Sequence, residues 1–158
     1  MGLSLFENSR ETNTASTITM VEDVLIALGH FVNDCRVERP GAVRAWVVRK
    51  GSALVAIQLL ERPDHPHLRV SSGVMITADG LSAEDRATLH ADLLTRNLDL
   101  AGVAFAIRDR QVMLVSERST LDLDRSEVLD LVRRVTEQAD AVDDQLVERY
   151  GGTLGGEP

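Results

Sequence analysis

The chain has 158 residues, of which 44% are hydrophobic and 3% aromatic, so it fits one globular domain with an aliphatic core. Its formal net charge of −8 disfavours nucleic acid as a partner, because an acidic chain repels a phosphate backbone. The single cysteine excludes an internal disulfide and suits the reducing cytoplasm, and no apolar run approaches the roughly 18 residues that span a membrane.

The first predicted element is a helix that starts near Thr19. Residues 1–16 are polar and lack apolar periodicity, so we expect a flexible leader there. Thr19 and Glu22 have the spacing of a capping box, in which each side chain satisfies a free backbone N–H. Gly29 can adopt the left-handed conformation that ends a helix. These signals predict a first helix over about residues 19–29.

Three strands follow this helix, because the hydrophobic period changes from 3.6 to 2 at Gly41. The turn residues 50–52 join the first two strands into a hairpin. The prolines within residues 62–66 cannot continue the ladder, since proline lacks a backbone N–H. A third strand over about residues 67–77 is expected to run antiparallel to the second, because the link between them is short.

The second half of the chain predicts a helix, a second hairpin and a long final helix. Ser82 is a cap signal for a helix over about residues 83–97. Residues 102–108 and 111–117 form the hairpin, and Asp124 is well placed to cap the last helix. That helix carries an apolar stripe in steps of four and three: Val128, Val132, Val135, Ala139, Val142 and Leu146. Because the stripe covers fewer than four heptads, it favours a face packed on the core over a coiled-coil seam.

The order of elements, α-β-β-β-α-β-β-α, predicts an α+β fold. We expect two layers, a five-stranded antiparallel sheet with three helices packed on it. Residues 17–150 form this domain. The glycine-rich tail, residues 151–158, has nothing to pack and is expected to be disordered.

Several predicted strands are apolar on both sides, whereas a sheet with one face in water should alternate more cleanly. Two explanations remain open. Either helices cover both faces, or the second apolar side is a surface for another polypeptide, because monomers rarely leave large apolar patches exposed. The predicted partner-binding residues are Trp46, Val48, Leu54, Ala104, Ala106, Met113 and Val115.

Catalytic and metal-binding patterns are weak in this sequence. His65 and His67 lie close together but lack the four-residue helical spacing of a zinc site and an adjacent cysteine. Cys35 has a cationic neighbour in Arg36 but no nearby histidine, which favours an inert thiol over a nucleophile. We therefore expect no enzymatic activity, no cofactor and no bound metal.

Several local strings resemble the YbjN-type family, whose fold is similar to that of class I type III secretion chaperones. The strings are Arg44–Val48, Leu68–Ser72, Leu93–Leu98, Ala101–Ile107 and Val115–Arg118, within about Val21 to Tyr150. The resemblance implies a small protein that binds peptides or partner proteins and is often dimeric. It supplies no catalytic motif.

Together these observations predict a non-catalytic, chaperone-like module with a regulatory role. We expect a homodimer that also holds a segment of an unidentified protein against its apolar sheet or helix surface, by strand addition or as a helix in a groove. Nucleic acid and membrane are not expected partners. An alternative is a regulatory protein that senses a small ligand in a pocket between the sheet and the long helix.

Overall fold

The structure is a computed structural model that describes the backbone of residues 3–158 and the side chains of residues 9–158. Its helices are α1 (Leu3–Ala27), α2 (Val32–Cys35), α3 (Ala83–Asn97) and α4 (Arg125–Tyr150). Its strands are β1 (Arg36–Val37), β2 (Ala42–Lys50), β3 (Ala53–Leu60), β4 (His67–Ile76), β5 (Ala104–Arg108), β6 (Gln111–Ser119) and β7 (Thr153–Leu154). The predicted α+β class is confirmed, while α2, β1 and β7 were not foreseen.

The described strands form one antiparallel sheet in the order β1-β2-β3-β4-β6-β5. β3 pairs with β4 only along residues 67–72 of β4. Beyond that point β7 lies beside β4, with Leu154 opposite Met75 and Thr153 opposite Ile76. The end of β4 therefore has a partner strand that comes from the last residues of the described chain.

The core lies between one face of the sheet and helices α1, α3 and α4. The stripe of α4 is buried at Val128, Val132, Val135, Ala139 and Leu146, which confirms the prediction of a core face. Buried residues of α1 and α3 join the same core, namely Val21, Val24, Leu25, Leu89 and Leu93. The helices thus form a single layer on one side of the sheet.

Two predicted helix starts are confirmed by their caps. The Ser82 hydroxyl accepts a hydrogen bond from the Asp85 backbone N–H at 3.0 Å. At the start of α4 the Asp124 carboxylate accepts from the Glu127 N–H, and the Glu127 carboxylate accepts from the Asp124 N–H, both at 2.9 Å. Each cap satisfies backbone donors that the first helical turn leaves free.

The structure corrects the predicted start of the first helix. α1 begins at Leu3, so from Leu3 onwards the residues predicted as a flexible leader are helical, and the first two lie outside the described residues. Thr19 lies inside the helix, where its hydroxyl donates to the Ala15 carbonyl at 3.2 Å. The early helix is held by distant groups, because the Arg10 guanidinium donates to the Arg62 carbonyl at 2.7 Å. The predicted end is supported, since Gly29 has φ +87°.

Candidate functional site

The seven predicted partner-binding residues do not all lie on one face of the sheet. Trp46 and Val48 point to the helices and are only 0% and 4% exposed. The Trp46 indole N–H donates to the Glu22 carboxylate of α1 at 3.3 Å. A partner could not touch these two side chains without opening the core, so the structure contradicts their place in the predicted surface. The pattern misled because β2 is apolar on both sides.

The other five predicted residues share the opposite face of the sheet, which we call the open face. Ala104 pairs with Val115 and Ala106 with Met113, so four of them are neighbours across β5 and β6. Leu54 lies on the same face by strand alternation. Other side chains of the open face include Ala45, Val47, Arg49, Ala56, Gln58, Arg69, Ser71 and Glu117. Ala104 and Ala106 are exposed, whereas Leu54 and Val115 are half-buried.

The C-terminal segment, residues 152–158, crosses the open face, which corrects the prediction of a disordered tail. After β7 the backbone at Gly155 lies directly on the backbone at Gly73, where a methyl group would overlap the Gly73 carbonyl. The Gln111 amide donates to the Glu157 carbonyl at 3.4 Å. Pro158 is buried at the end of this path.

Pro158 lines a cleft of about 430 Å³ on the open face. The cleft wall includes the apolar side chains of Met113 and Val115 and the cations Arg39 and Arg69. The Arg39 guanidinium pairs with the Glu157 carboxylate at 2.8 Å. The segment therefore contributes an apolar ring to the wall of the cleft and brings a carboxylate to one of its cations.

A second ion pair network fixes Arg69, another cation of the cleft. The Glu117 carboxylate accepts from the Arg69 guanidinium at 2.6 Å and from Arg62 at 2.8 Å, and His67 Nδ1 lies 3.2 Å away. Burial raises the pKa of Glu117, but the hydrogen bonds from Arg62 and Arg69 outweigh it and leave the pKa below its usual range. Arg69 is thus neutralised within the sheet, whereas the partner of Arg39 belongs to the C-terminal segment.

The edge strand β5 is protected by a side chain. The Asn97 amide oxygen accepts from the Phe105 N–H at 2.6 Å, and its NH₂ group donates to the Phe105 carbonyl at 3.3 Å. These backbone groups are therefore satisfied without another strand, which disfavours strand addition at that point of the edge. Beside it α3 and its C-cap residue expose two large apolar side chains, with Leu94 71% and Leu98 86% exposed.

His67 and Cys35 were first considered for chemistry, and the structure describes their surroundings. His67 lies between the Glu117 and Asp64 carboxylates. Burial, with a smaller contribution from the charge of Asp34, raises the pKa of the Cys35 thiol and so disfavours the reactive thiolate. Among the side chains of residues 9–158, no three His, Cys, Asp or Glu residues are grouped to hold a metal ion.

Within residues 3–158 no helix has the length and hydropathy needed to cross a membrane.

Comparison with known families identifies the chain. The sequence profile described as T3SS (YopN, CesT) and YbjN peptide-binding chaperone 1, TY-Chap1, matches residues 16–156. The chain belongs to the TY-Chap1 family. This confirms the resemblance to the YbjN-type family, and a search of curated proteins gave no match.

Solved structures share the fold of this TY-Chap1 chain. YbjN from E. coli is 15% identical with a TM-score of 0.57, covering 87% of this chain and 94% of its own. A chain of the HopA1–SchA chaperone–effector complex is 10% identical with a TM-score of 0.58, covering 85% of this chain and 97% of its own. The Yersinia pestis type III secretion chaperone SycH, in complex with a stable fragment of YscM2, is 15% identical with a TM-score of 0.52. The match covers 78% of this chain and 97% of that chain. The type III secretion chaperone-like fold is therefore shown.

Proposed function

We propose that this TY-Chap1 protein holds an extended segment of a partner protein on its open face. The observation that carries the proposal is that a segment of its own chain already lies there, paired with β4 as a strand and ending in the buried ring of Pro158. A surface that accommodates one extended segment has the shape and the backbone donors to accommodate another.

The chemistry of the open face suits such a segment. An added strand obtains its affinity from main-chain hydrogen bonds and its selectivity from pockets for alternate side chains. The end of β4 supplies main-chain hydrogen bonds, and the cleft beside Met113 and Val115 supplies a pocket for a side chain. The structures of SycH and of HopA1–SchA each contain a partner protein, which supports the proposal by analogy. Holding a segment in this way would regulate the partner by keeping that segment from other contacts.

The test is a selection of peptides from a random library on the wild-type protein, followed by fluorescence anisotropy. Val115→Asp should weaken binding of the selected peptides by about tenfold or more, because it places a charge on a surface that the peptide would dehydrate. Ala104→Asp, at an exposed neighbouring position, should do the same with less risk to the fold.

Leu121→Asp is the matched control, since Leu121 is exposed in the connection between β6 and α4 and lies away from the open face. It should leave peptide binding unchanged. The proposal is overturned if no peptide is selected, or if peptides bind both open-face variants as tightly as the wild type. Circular dichroism of each variant shows whether the fold is retained.

We also propose that the protein is a homodimer that associates through the exposed apolar side chains of α3 beside β5. Leu94 and Leu98 extend into solvent next to an apolar cleft lined by Leu93 and Phe105. Light scattering at tens of micromolar should give twice the monomer mass, and Leu94→Glu should give the monomer mass, because a buried unpaired charge opposes association. Leu121→Glu should remain dimeric. A monomeric wild-type protein would rule the dimer out.

A further inference from the structure

We infer that the partner segment has the chemistry of residues 152–158: a glycine, a two-residue strand, a second glycine, one further residue, a carboxylate and an apolar ring. In the absence of a partner these residues occupy the site themselves, and a partner must displace them. This inference rests on the proposed function of the open face. Three contacts, taken in order along the segment, support it.

The first contact is the strand. β4 extends past the end of its pairing with β3, and residues 153–154 take the vacated side. An unpaired strand edge is a template for another chain, because its N–H and C=O groups form the same ladder with any extended backbone. The occupant of this place must therefore be extended at two residues, whatever its side chains are.

The second contact selects glycine at Gly155. At Gly155 a Cβ atom would overlap the Gly73 carbonyl, so a side chain there prevents the backbones from approaching. At Gly156, one residue further on, no atom lies within 4 Å of the place where a Cβ would be. Adjacent glycines thus differ sharply: the first is required by close packing, and the second is not.

The third contact selects negative charge. Glu157 pairs with Arg39, and the cleft also contains Arg108, whereas Arg69 is already paired with Glu117. The rest of the chain carries an excess of acidic residues, with a net charge of −8 overall. An acidic peptide is therefore repelled by most of the surface and attracted to this cleft, which favours one location over others.

The covalent link gives residues 152–158 an advantage over any partner. A short flexible tether holds a segment near its site at an effective concentration on the order of millimolar. The apparent affinity for an external peptide falls by the fraction of molecules whose site is free. Detaching the segment without removing it should therefore expose the site in the full-length protein.

The experiment compares Gly155→Ala with Gly156→Ala in the full chain. The probe is a fluorescent peptide of sequence Gly-Thr-Leu-Gly-Gly-Glu-Pro, and its binding is measured by anisotropy. Gly155→Ala should bind the probe about tenfold or more tightly than the wild type, while Gly156→Ala should match the wild type. Replacing Glu by Lys in the probe should weaken its binding to Gly155→Ala. In the double variant that combines Gly155→Ala with Arg39→Glu, the probe that contains Lys should bind more tightly than the probe that contains Glu.

Hydrogen exchange gives an independent measure in the absence of any probe. The amides of residues 73–76 should exchange faster in Gly155→Ala than in Gly156→Ala, because β7 no longer covers that edge of β4. Equal exchange and equal probe binding in the two variants would overturn the inference. If peptides selected on the wild type bind Gly155→Ala with unchanged affinity, the proposed function stands and this inference fails. If neither the selected peptides nor the probe binds any variant, both fail.

Discussion

Trp46→Ala is expected to lower the free energy of unfolding by about 3 to 5 kcal/mol, the usual cost of truncating a buried large aromatic side chain. Trp46 is the largest of the fully buried side chains and lies under the helices. Its indole also donates to Glu22, which receives two further hydrogen bonds from Arg36 at 2.9 Å. The variant therefore loses packing and one of the contacts that hold α1 to the sheet.

Urea denaturation measures this effect, and Val47→Ala is the matched control. Val47 is the next residue of β2, but it is half-buried and lies on the open face. Its truncation should cost only about 1 kcal/mol. Equal destabilisation by the two variants would mean that Trp46 is not packed beneath the helices. Trp46 would then be available to a partner, as the sequence pattern had suggested.

Glu117→Gln is expected to lower the free energy of unfolding by roughly 2 kcal/mol at pH 7, because hydrogen bonds to charged groups contribute more than neutral ones. The amide retains the size of the carboxylate but presents an NH₂ group to the donors of Arg62 and Arg69. Its effect extends to the cleft, since Arg69 loses the anion that orients it.

The difference between Glu117→Gln and the wild type should depend on pH. The pKa of Glu117 is lower in the folded protein than its ordinary value of about 4.3, so its carboxylate stabilises the fold above that pH. This contribution is lost as the pH falls through the folded pKa, so the difference in stability between the two proteins should shrink as the pH is lowered. Denaturation curves between pH 3 and pH 7 test this. Glu137→Gln, an exposed position on α4, should track the wild type throughout.

The five longer strands and the later helices were predictable because their signals are local. β3 begins at Ala53, directly after the predicted turn at residues 50–52, and α3 extends over the expected residues. Ser82 and Asp124 marked their helices because a cap needs only a side chain and the N–H three residues later. Such contacts are contained within a few residues of sequence.

The early part of α1 could not be predicted, because its support is distant in sequence. Arg10 is held by the Arg62 carbonyl, and the Asn13 amide oxygen accepts from the Thr120 hydroxyl at 2.7 Å. Neither contact leaves an apolar period in residues 9–16. Thr17 is buried although it is polar, so even the inward face of the helix has no hydrophobic signature there.

Only part of the candidate site was predicted, because the sequence pattern does not contain the distant contacts that decide which face is covered. Alternation separates the two faces of a strand, but it does not say which face a helix will cover when both are apolar. Trp46 and Val48 were therefore grouped with residues of the opposite face. The C-terminal segment was missed because its strand has two residues and its position depends on the close contact of Gly155 with Gly73.

The strand order has a consequence for synthesis on the ribosome. Central strand β4 lies between β3, which precedes it, and β6, which emerges only after α3 and β5 have been made. A nascent chain that has reached α3 therefore has one side of β4 unpaired and lacks α4 to cover its apolar face. Such surfaces are prone to aggregation during folding. Rapid passage of the ribosome through residues 98–150 should accordingly raise the yield of native protein.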